Sequence, residues 1–397
     1  MMLFKFIPFW CLVTITITAG AQVSLSEQEA IRLALDRSPA VKAAMLQVKE
    51  RNQRQGSSFN LANPDITLES PTGDFFILGV QQSLEFPTVY ILQAKLAKQK
   101  TLLAEKGKEI TESEVKRQIR TAYLQMQYTI QRSENSKVQD SLYSIIATAA
   151  DRQYLAGQID FVAKTYAVSR YGEVHNQFVQ AQSDAQLSLM RLQLYTGIED
   201  SIITTPFTKI NKMNFMPDMA FDSSINSTSP LVHYYEQTQY VAKKTWQLEK
   251  NKLFPGFMIG YMNQGARSTD IPMRLRAGIN IPIWFWQYSA AIRAAKSNLK
   301  IEEQNQLLQL QNLEADFQQS KSELLKNSTL LDYYEVTGLQ LADELIRSSA
   351  RMFTAGQTDY ITYLRTLSDA NSVRVNYLET LRNYNQSIIN LQYLNGQ

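Results

Sequence analysis

Residue types able to do chemistry are thinly spread through this chain. Its two histidines, His175 and His233, stand alone, neither with a second ligand nearby in sequence, and both read as structural. The one cysteine, Cys11, lies inside an N-terminal apolar stretch. Met213, Met216 and Met219 recur at intervals of three, as a soft-metal thioether set would. They sit in a joining segment, where methionine more often fills packing gaps, and packing is the preferred reading. No Ser/His/Asp set, phosphate loop or metal-ligand spacing occurs, so no catalysis, cofactor or bound metal is expected. The net charge is +3 with both signs interspersed, which lacks the clustered basic footprint of a nucleic-acid partner.

What does recur is a polar set around glycine. Ala156, Gly157, Gln158 and Asp160 are matched 199 residues later by Ala355, Gly356, Gln357 and Asp359. The same offset carries Gly79 and Phe86 onto Gly278 and Phe285, and Leu192, Gln193 and Gly197 onto Leu391, Gln392 and Gly396. A period this long means a duplicated, domain-sized element and not a solenoid.

The elements that must position these residues follow from proline placement. No proline occurs between Thr88 and Thr205 or between Ile283 and Gln397. Both tracts are rich in Gln, Leu, Ala, Lys and Glu, and spacings such as Ile119, Ala122, Tyr123, Met126 and Ile130 keep an apolar stripe at helical intervals. Long helices with one apolar face pack as antiparallel coiled coils. Each tract breaks once, at Gly157 and Gly356, where glycine can take the left-handed conformation that ends a helix. Asp160 and Asp359 are then expected in the first turn of the next helix, where negative charge suits the dipole. Thr88 to Gln153 would be a rod of about 100 Å at about 1.5 Å per residue. Its return helix, from Gln158 to Thr196, is shorter, and a helix from Glu27 to Ser58 would fill the remainder. In the second half, Gln287 to Phe353 is expected to lie beside Ser229–Leu253 and Thr358–Asn395.

Between short and long helices lie two expected β-hairpins, over 64–86 and 257–285. Phe76, Leu78, Val80, Leu84 and Phe86 share one face, with Gln81, Ser83 and Glu85 opposite. The offset carries this to Leu275, Ala277, Ile279, Ile281, Ile283 and Phe285 against Arg274, Arg276 and Asn280. Apolar-out and polar-in over about ten residues suits a membrane barrel strand, and a half-buried soluble sheet gives the same alternation. Four strands cannot close a barrel, because small barrels need about eight and an open edge in lipid is forbidden. A membrane reading therefore requires several copies.

The N-terminus reads as a secretory signal over 1–21: Lys5, an apolar stretch from Phe6 to Ile17, and small residues at Ala19, Gly20 and Ala21. The mature chain would start near Gln22, outside the cytoplasm. Together with Leu25 to Pro39 on a short helix, a strand ending Leu84-Glu85-Phe86-Pro87, and the break at Tyr154-Leu155-Ala156-Gly157, this resembles the TolC family of outer-membrane efflux ducts. The strand ending Phe-Pro and the short C-terminus look most like the cation-efflux branch related to CusC and CzcC.

The resemblance implies a mainly α fold with a membrane β-barrel part: long antiparallel coiled-coil helices and four strands per protomer, twelve strands in a homotrimer. It implies two repeats, 22–200 with its helical hairpin 88–196 and 229–397 with its helical hairpin 287–395, joined by an equatorial segment 201–228. It implies a passive duct in the outer membrane of a Gram-negative bacterium. The duct would extend into the periplasm and serve a periplasmic adapter (membrane fusion) protein and an inner-membrane RND-type pump that delivers heavy-metal cations or drugs. Type I protein or polysaccharide export through the same fold, or a soluble periplasmic coiled-coil protein, are the alternatives. The two glycine breaks would form the periplasmic tip that docks the adapter, and Gln81, Ser83, Glu85, Arg274, Arg276 and Asn280 would face the barrel lumen. Some family members carry two acids six and nine positions past the second glycine, at the inner gate. Thr362 and Arg365 stand there in this chain, which puts an acidic cation-binding ring in doubt. Arg365 either bridges to Asp359 or Asp369, in its own or a neighbouring chain, or belongs to a solvated face.

Overall fold

The structure is a computed structural model that describes residues 23–57, 59–70, 76–211, 229–263, 270 and 274–396. The signal segment, most of the joining segment with Met213, Met216 and Met219, and the turn around Thr72 lie outside the described residues.

The first half opens with β1 (Val23–Leu25), α1 (Glu27–Arg37) and α2 (Pro39–Gly56). Ser26 starts α1 through a capping box: its Oγ accepts from the Glu29 N–H at 3.3 Å and Glu29 Oε2 accepts from the Ser26 N–H at 3.1 Å. The single helix expected from Glu27 to Ser58 is thus two. Pro39 has no N–H to continue the ladder, and the Ser38 hydroxyl instead accepts from the Val41 N–H at 3.4 Å, starting α2 afresh. After β2 (Asp65–Glu69) and β3 (Ile77–Leu84) comes α3, a rod of 69 residues from Pro87 to Leu155. The return helix α4 (Phe161–Thr196) and a short strand β4 (Ile202–Thr204) complete the half.

The second half repeats this order with α5 (Pro230–Asn251), β5 (Gly256–Met262), β6 (Leu275–Asn280), α6 (Phe285–Tyr333), α7 (Leu339–Thr354) and α8 (Tyr360–Leu394). The long rod expected over 287–353 is interrupted by a π-helical turn, Tyr334–Gly338, that separates α6 from α7. Strand β6 is shorter than expected. It ends at Asn280 because Pro282 offers no ladder N–H, and Ile281 to Trp284 run on outside the ladder, with the Ile283 N–H donating to Ile281 O at 2.9 Å. Gly157 and Gly197 have φ of +71° and +66°, and their counterparts Gly356 and Gly396 have +72° and +76°. No other described residue has positive φ, so the duplication is preserved down to backbone torsions.

The elements pack as one elongated body around α3. Helices α1, α2, α4, α5 and α8 all touch it, and α8 also packs along α6 and α7. At mid-length β1 and β4 pair in parallel, and Leu25, Ile119, Tyr123, Leu192 and Ile202 form a buried cluster beneath them. The two helical hairpins are joined by polar bonds along α3 and α8: Arg120 to Gln392 at 2.9 Å, Thr121 to Gln386 at 3.2 Å and Asn135 to Asn371 at 3.1 Å. At one end of the rods sits a four-stranded antiparallel sheet in the order β2-β3-β5-β6.

Candidate functional site: the hairpin turns and the two-faced sheet

Both hairpin turns are built the same way. The Gly157 N–H donates to Tyr154 O at 2.9 Å and the Gln158 N–H to Gln153 O at 2.8 Å, the paired bonds of a Schellman cap. In the second turn Gly356 bonds Phe353 at 3.1 Å and Gln357 bonds Met352 at 2.8 Å. Asp160 and Asp359 do not lie in the first turn of the following helix as expected. They are N-caps with extended backbone, and their carboxylates accept from the Ala163 and Thr362 N–H groups, each at 2.7 Å. A direct bond to an orphan N–H fixes the helix start more firmly than the dipole alone. Asp359 also accepts from Thr362 Oγ1 at 3.1 Å, and these bonds from Thr362 hold its carboxyl below the ordinary aspartate value.

The turns lie side by side. Ile159 of the first and Phe353 of the second pack on a shared cluster of Tyr143, Ala150, Ala167, Tyr360, Tyr363 and Leu364. Around it Ala156, Gly157, Gln158, Ala355, Gly356 and Gln357 are exposed, with Leu155 at 77%, Phe161 at 62% and Val162 at 63%. A turn that keeps large apolar side chains in water presents a surface suited to a partner. Thr362, Arg365 and Asp369 share the exposed face of α8, while Ala163 and Tyr166, their counterparts by the offset, are half-buried. Within one protomer Arg365 pairs with neither Asp359, whose carboxylate Thr362 holds, nor Asp369.

At the other end the sheet has two unlike faces. Ile66, Leu68, Leu78, Val80, Ile259, Leu275 and Ile279 are all exposed, between 40% and 71%. The register places them on one face: Ile66 opposite Val80, Val80 opposite Tyr261, Tyr261 opposite Leu275. The other face carries a polar row across all four strands, Asp65–Gln81–Gly260–Arg276. Ser83 and Asn280 lie on that side as well, and Arg274, just before β6, donates to Asn263 Oδ1 at 2.7 Å. Glu85 falls beyond the end of β3, where its N–H donates to Tyr90 Oη at 2.9 Å. A Cβ on Gly260 would sit 2.9 Å from Val80 O, so glycine is needed there for the strands to approach this closely.

His175 of α4 reaches across to α3, its Nδ1 2.9 Å from Asp140 Oδ1, and His233 Nδ1 lies 3.5 Å from Glu236 Oε2 of its own helix. Among the described residues no three His, Cys, Asp or Glu side chains gather as a metal site would require. Two bridging residues escaped the sequence reading. Arg37 donates to Thr196 O at 2.9 Å and to Gly197 O, tying α1 to the end of α4. Lys209 reaches Asp332 at 3.2 Å and Glu335 at 3.3 Å beside the π turn. Their partners lie more than 100 residues away, and no local pattern marks them.

This arrangement of long helical hairpins below a four-stranded sheet is the fold of TolC-type outer-membrane channels. The chain is similar to the channel-forming protein CusC over 96% of its own length and 95% of that chain, at TM-score 0.76 and 13% identity. It is similar to the outer-membrane channel OprN over 93% and 89% of the two chains, at TM-score 0.80 and 13% identity. The CmeC outer membrane channel of Campylobacter jejuni matches over 93% and 85%, at 0.75 and 13%. No protein-family model and no curated protein matches the sequence.

Proposed function

We propose that the chain is a passive exit duct of the outer membrane, three copies of which close a barrel above a tunnel of helices that crosses the periplasm. The observation that carries this reading is the sheet: an exposed apolar face, a polar face and two unpaired edges, β2 and β6, mounted on rods about 100 Å long. In water such a face and such edges would aggregate. In lipid they are stable only if β6 of one copy pairs with β2 of the next until the sheet closes. The helices favour the same closure, because α4 exposes Val179, Leu187, Met190 and Leu194, and α6 and α7 expose Leu325, Leu341 and Leu345. Each stripe supplies what the other lacks. As a passive duct it would open and close without pumping.

The exposed hairpin turns would dock a periplasmic adapter, which joins the duct to an inner-membrane pump of the RND type, and Gln81, Ser83, Arg276 and Asn280 would line the lumen. Thr362 and Arg365 would stand at the inner gate, where Arg365 is free to meet Asp359 or Asp369 of a neighbouring copy. A wide polar lumen does not select its cargo as a pocket does, so both metal cations and drugs suit it. Fractionation tests the reading. A heat-labile trimer released from membranes only by detergent is the expected result; release as a monomer by osmotic shock would overturn it.

A further inference from the structure

Directly below the sheet the N-terminal segments of α3 and α6 carry one sign of charge. From Pro87 to Ala104 and from Phe285 to Ile301 the chain has no Asp or Glu, yet these segments hold Lys95, Lys98, Lys100, Arg293, Lys296 and Lys300. Helix stabilisation does not explain this, because the dipole favours acids near a helix N-terminus, and both segments are N-terminal. Nor are these cations matched by neighbours, since the first ion pairs of α3 lie lower, at Lys106–Glu109 and Lys108–Glu112.

Position separates inner cations from outer ones. Gln93, Ala97 and Lys100 of α3, with Gln287 and Tyr288 of α6, line a concave cavity of about 1170 Å³. Lys95 and Lys98 lie on the opposite side of α3, in line with Ile91, which is 53% exposed. Arg293, Lys296 and Lys300 follow one another at three and four residues on the face of α6 turned from Gln287 and Tyr288, and all three are exposed. At about 1.5 Å per residue, Lys95 and Arg293 both lie about 12 Å, and Lys98 and Lys296 both about 16 Å, below the starts of their helices. Two separate helices thus present cations at matching depths. Just above them Phe285 and Trp286 are exposed at 64% and 57%, as aromatic residues at a membrane–water boundary are, while Trp284 turns to the cavity. Side chains on an α-helix tilt toward its N-terminus, which points these Lys and Arg groups back toward that boundary.

We propose that Lys95, Lys98, Arg293, Lys296 and Lys300 form a collar that binds the phosphodiester headgroups of anionic lipids in the leaflet nearest the helices. The collar rests on the reading of the sheet as the membrane-embedded part. It fixes the depth of the duct and draws the assembling protein to anionic membrane, each surface cation adding attraction that salt screens within about 10 Å.

The test compares the full-length chain with a variant carrying Lys95→Gln, Lys98→Gln, Arg293→Gln, Lys296→Gln and Lys300→Gln, all exposed positions away from the packing clusters. Insertion from detergent is measured into vesicles of phosphatidylcholine alone and of phosphatidylcholine with about one third phosphatidylglycerol. The wild type should insert at least about fivefold faster with phosphatidylglycerol, and lose that gain in about 0.5 M salt. The variant should match the wild type in phosphatidylcholine and show no gain. Equal gains for both proteins, or no gain for either, would overturn the collar and leave the membrane reading intact. Insertion of neither protein into any vesicle would overturn both. Binding of the wild type but not the variant to purified peptidoglycan, with no dependence on lipid charge, would overturn the lipid assignment in favour of an acidic polymer.

Discussion

At the residue scale the two hairpin turns rest on a few atoms each. Gly157 and Gly356 hold φ near +70° with nothing within 4 Å of an added Cβ, so a substitution there is strained by backbone torsion and not by crowding. A β-branched residue in the left-handed region costs about 1–2 kcal/mol, enough to reshape an exposed turn but not a long coiled coil. Gly157→Val and Gly356→Val should therefore leave the trimer in the membrane and abolish resistance to exported compounds; full resistance in both variants would remove the docking role. Asp359 gives a second expectation. Its carboxyl titrates below the ordinary value because Thr362 bonds the charged form, so its stabilising effect is complete above about pH 4 and fades as pH falls through the lower folded value. Proteolytic nicking of the second turn should be flat from about pH 8 to pH 5 and rise only below about pH 4, whereas Asp359→Ala should nick readily throughout.

At the element scale, buried bonds and exposed pairs differ in weight. Tyr123 is 2% exposed, and its hydroxyl donates to Leu25 O at 2.8 Å while accepting from the Thr205 N–H at 2.9 Å. It fastens the β1–β4 pair to α3. Tyr123→Phe strands those groups and should cost about 1–3 kcal/mol, read as a lower midpoint in thermal unfolding. Lys209, by contrast, pairs with Asp332 and Glu335 at a largely exposed site beside the π turn. Lys209→Met should cost less than about 1 kcal/mol, and a loss as large as that of Tyr123→Phe would show that the strap over the π turn is a principal support. The helix break at Pro39 was written in the chain, since proline and the preceding serine are both boundary residues, although the apolar pattern runs across it. The π turn was not. A Cβ on Gly338 would meet the Tyr334 ring of its own turn at 3.0 Å and Val373 of α8 at 3.6 Å, and the second contact exists only once the helices have packed.

For the whole molecule, the unpaired stripes and open sheet edges make the protomer an incomplete object. Leu194 on α4 is 81% exposed and Leu187 is 64% exposed. Placing charge there cannot disturb a packed protomer but would enter a neighbour's apolar face. Leu187→Arg with Leu194→Arg should keep the helical circular dichroism and lose the heat-labile trimer; an intact trimer would place the contact between copies elsewhere.

The sequence by itself determined the duplication, the long helices, the two glycine breaks and the two-faced strands, because each rests on local chemistry: helical period, proline exclusion, left-handed glycine and alternation of side chains. The cap role of Asp160 and Asp359 was half visible, since an acid near a helix start serves as cap or as dipole partner, and only backbone torsions choose between them. Tertiary structure alone decided that β3 pairs with β5, that α3 and α8 share a polar seam, and that Arg37 and Lys209 hold distant segments. It also placed Lys95 and Lys98 level with Arg293 and Lys296. Such contacts depend on chain closure over more than 100 residues, where the packing of whole rods, and not the preference of any residue, sets which side chains meet.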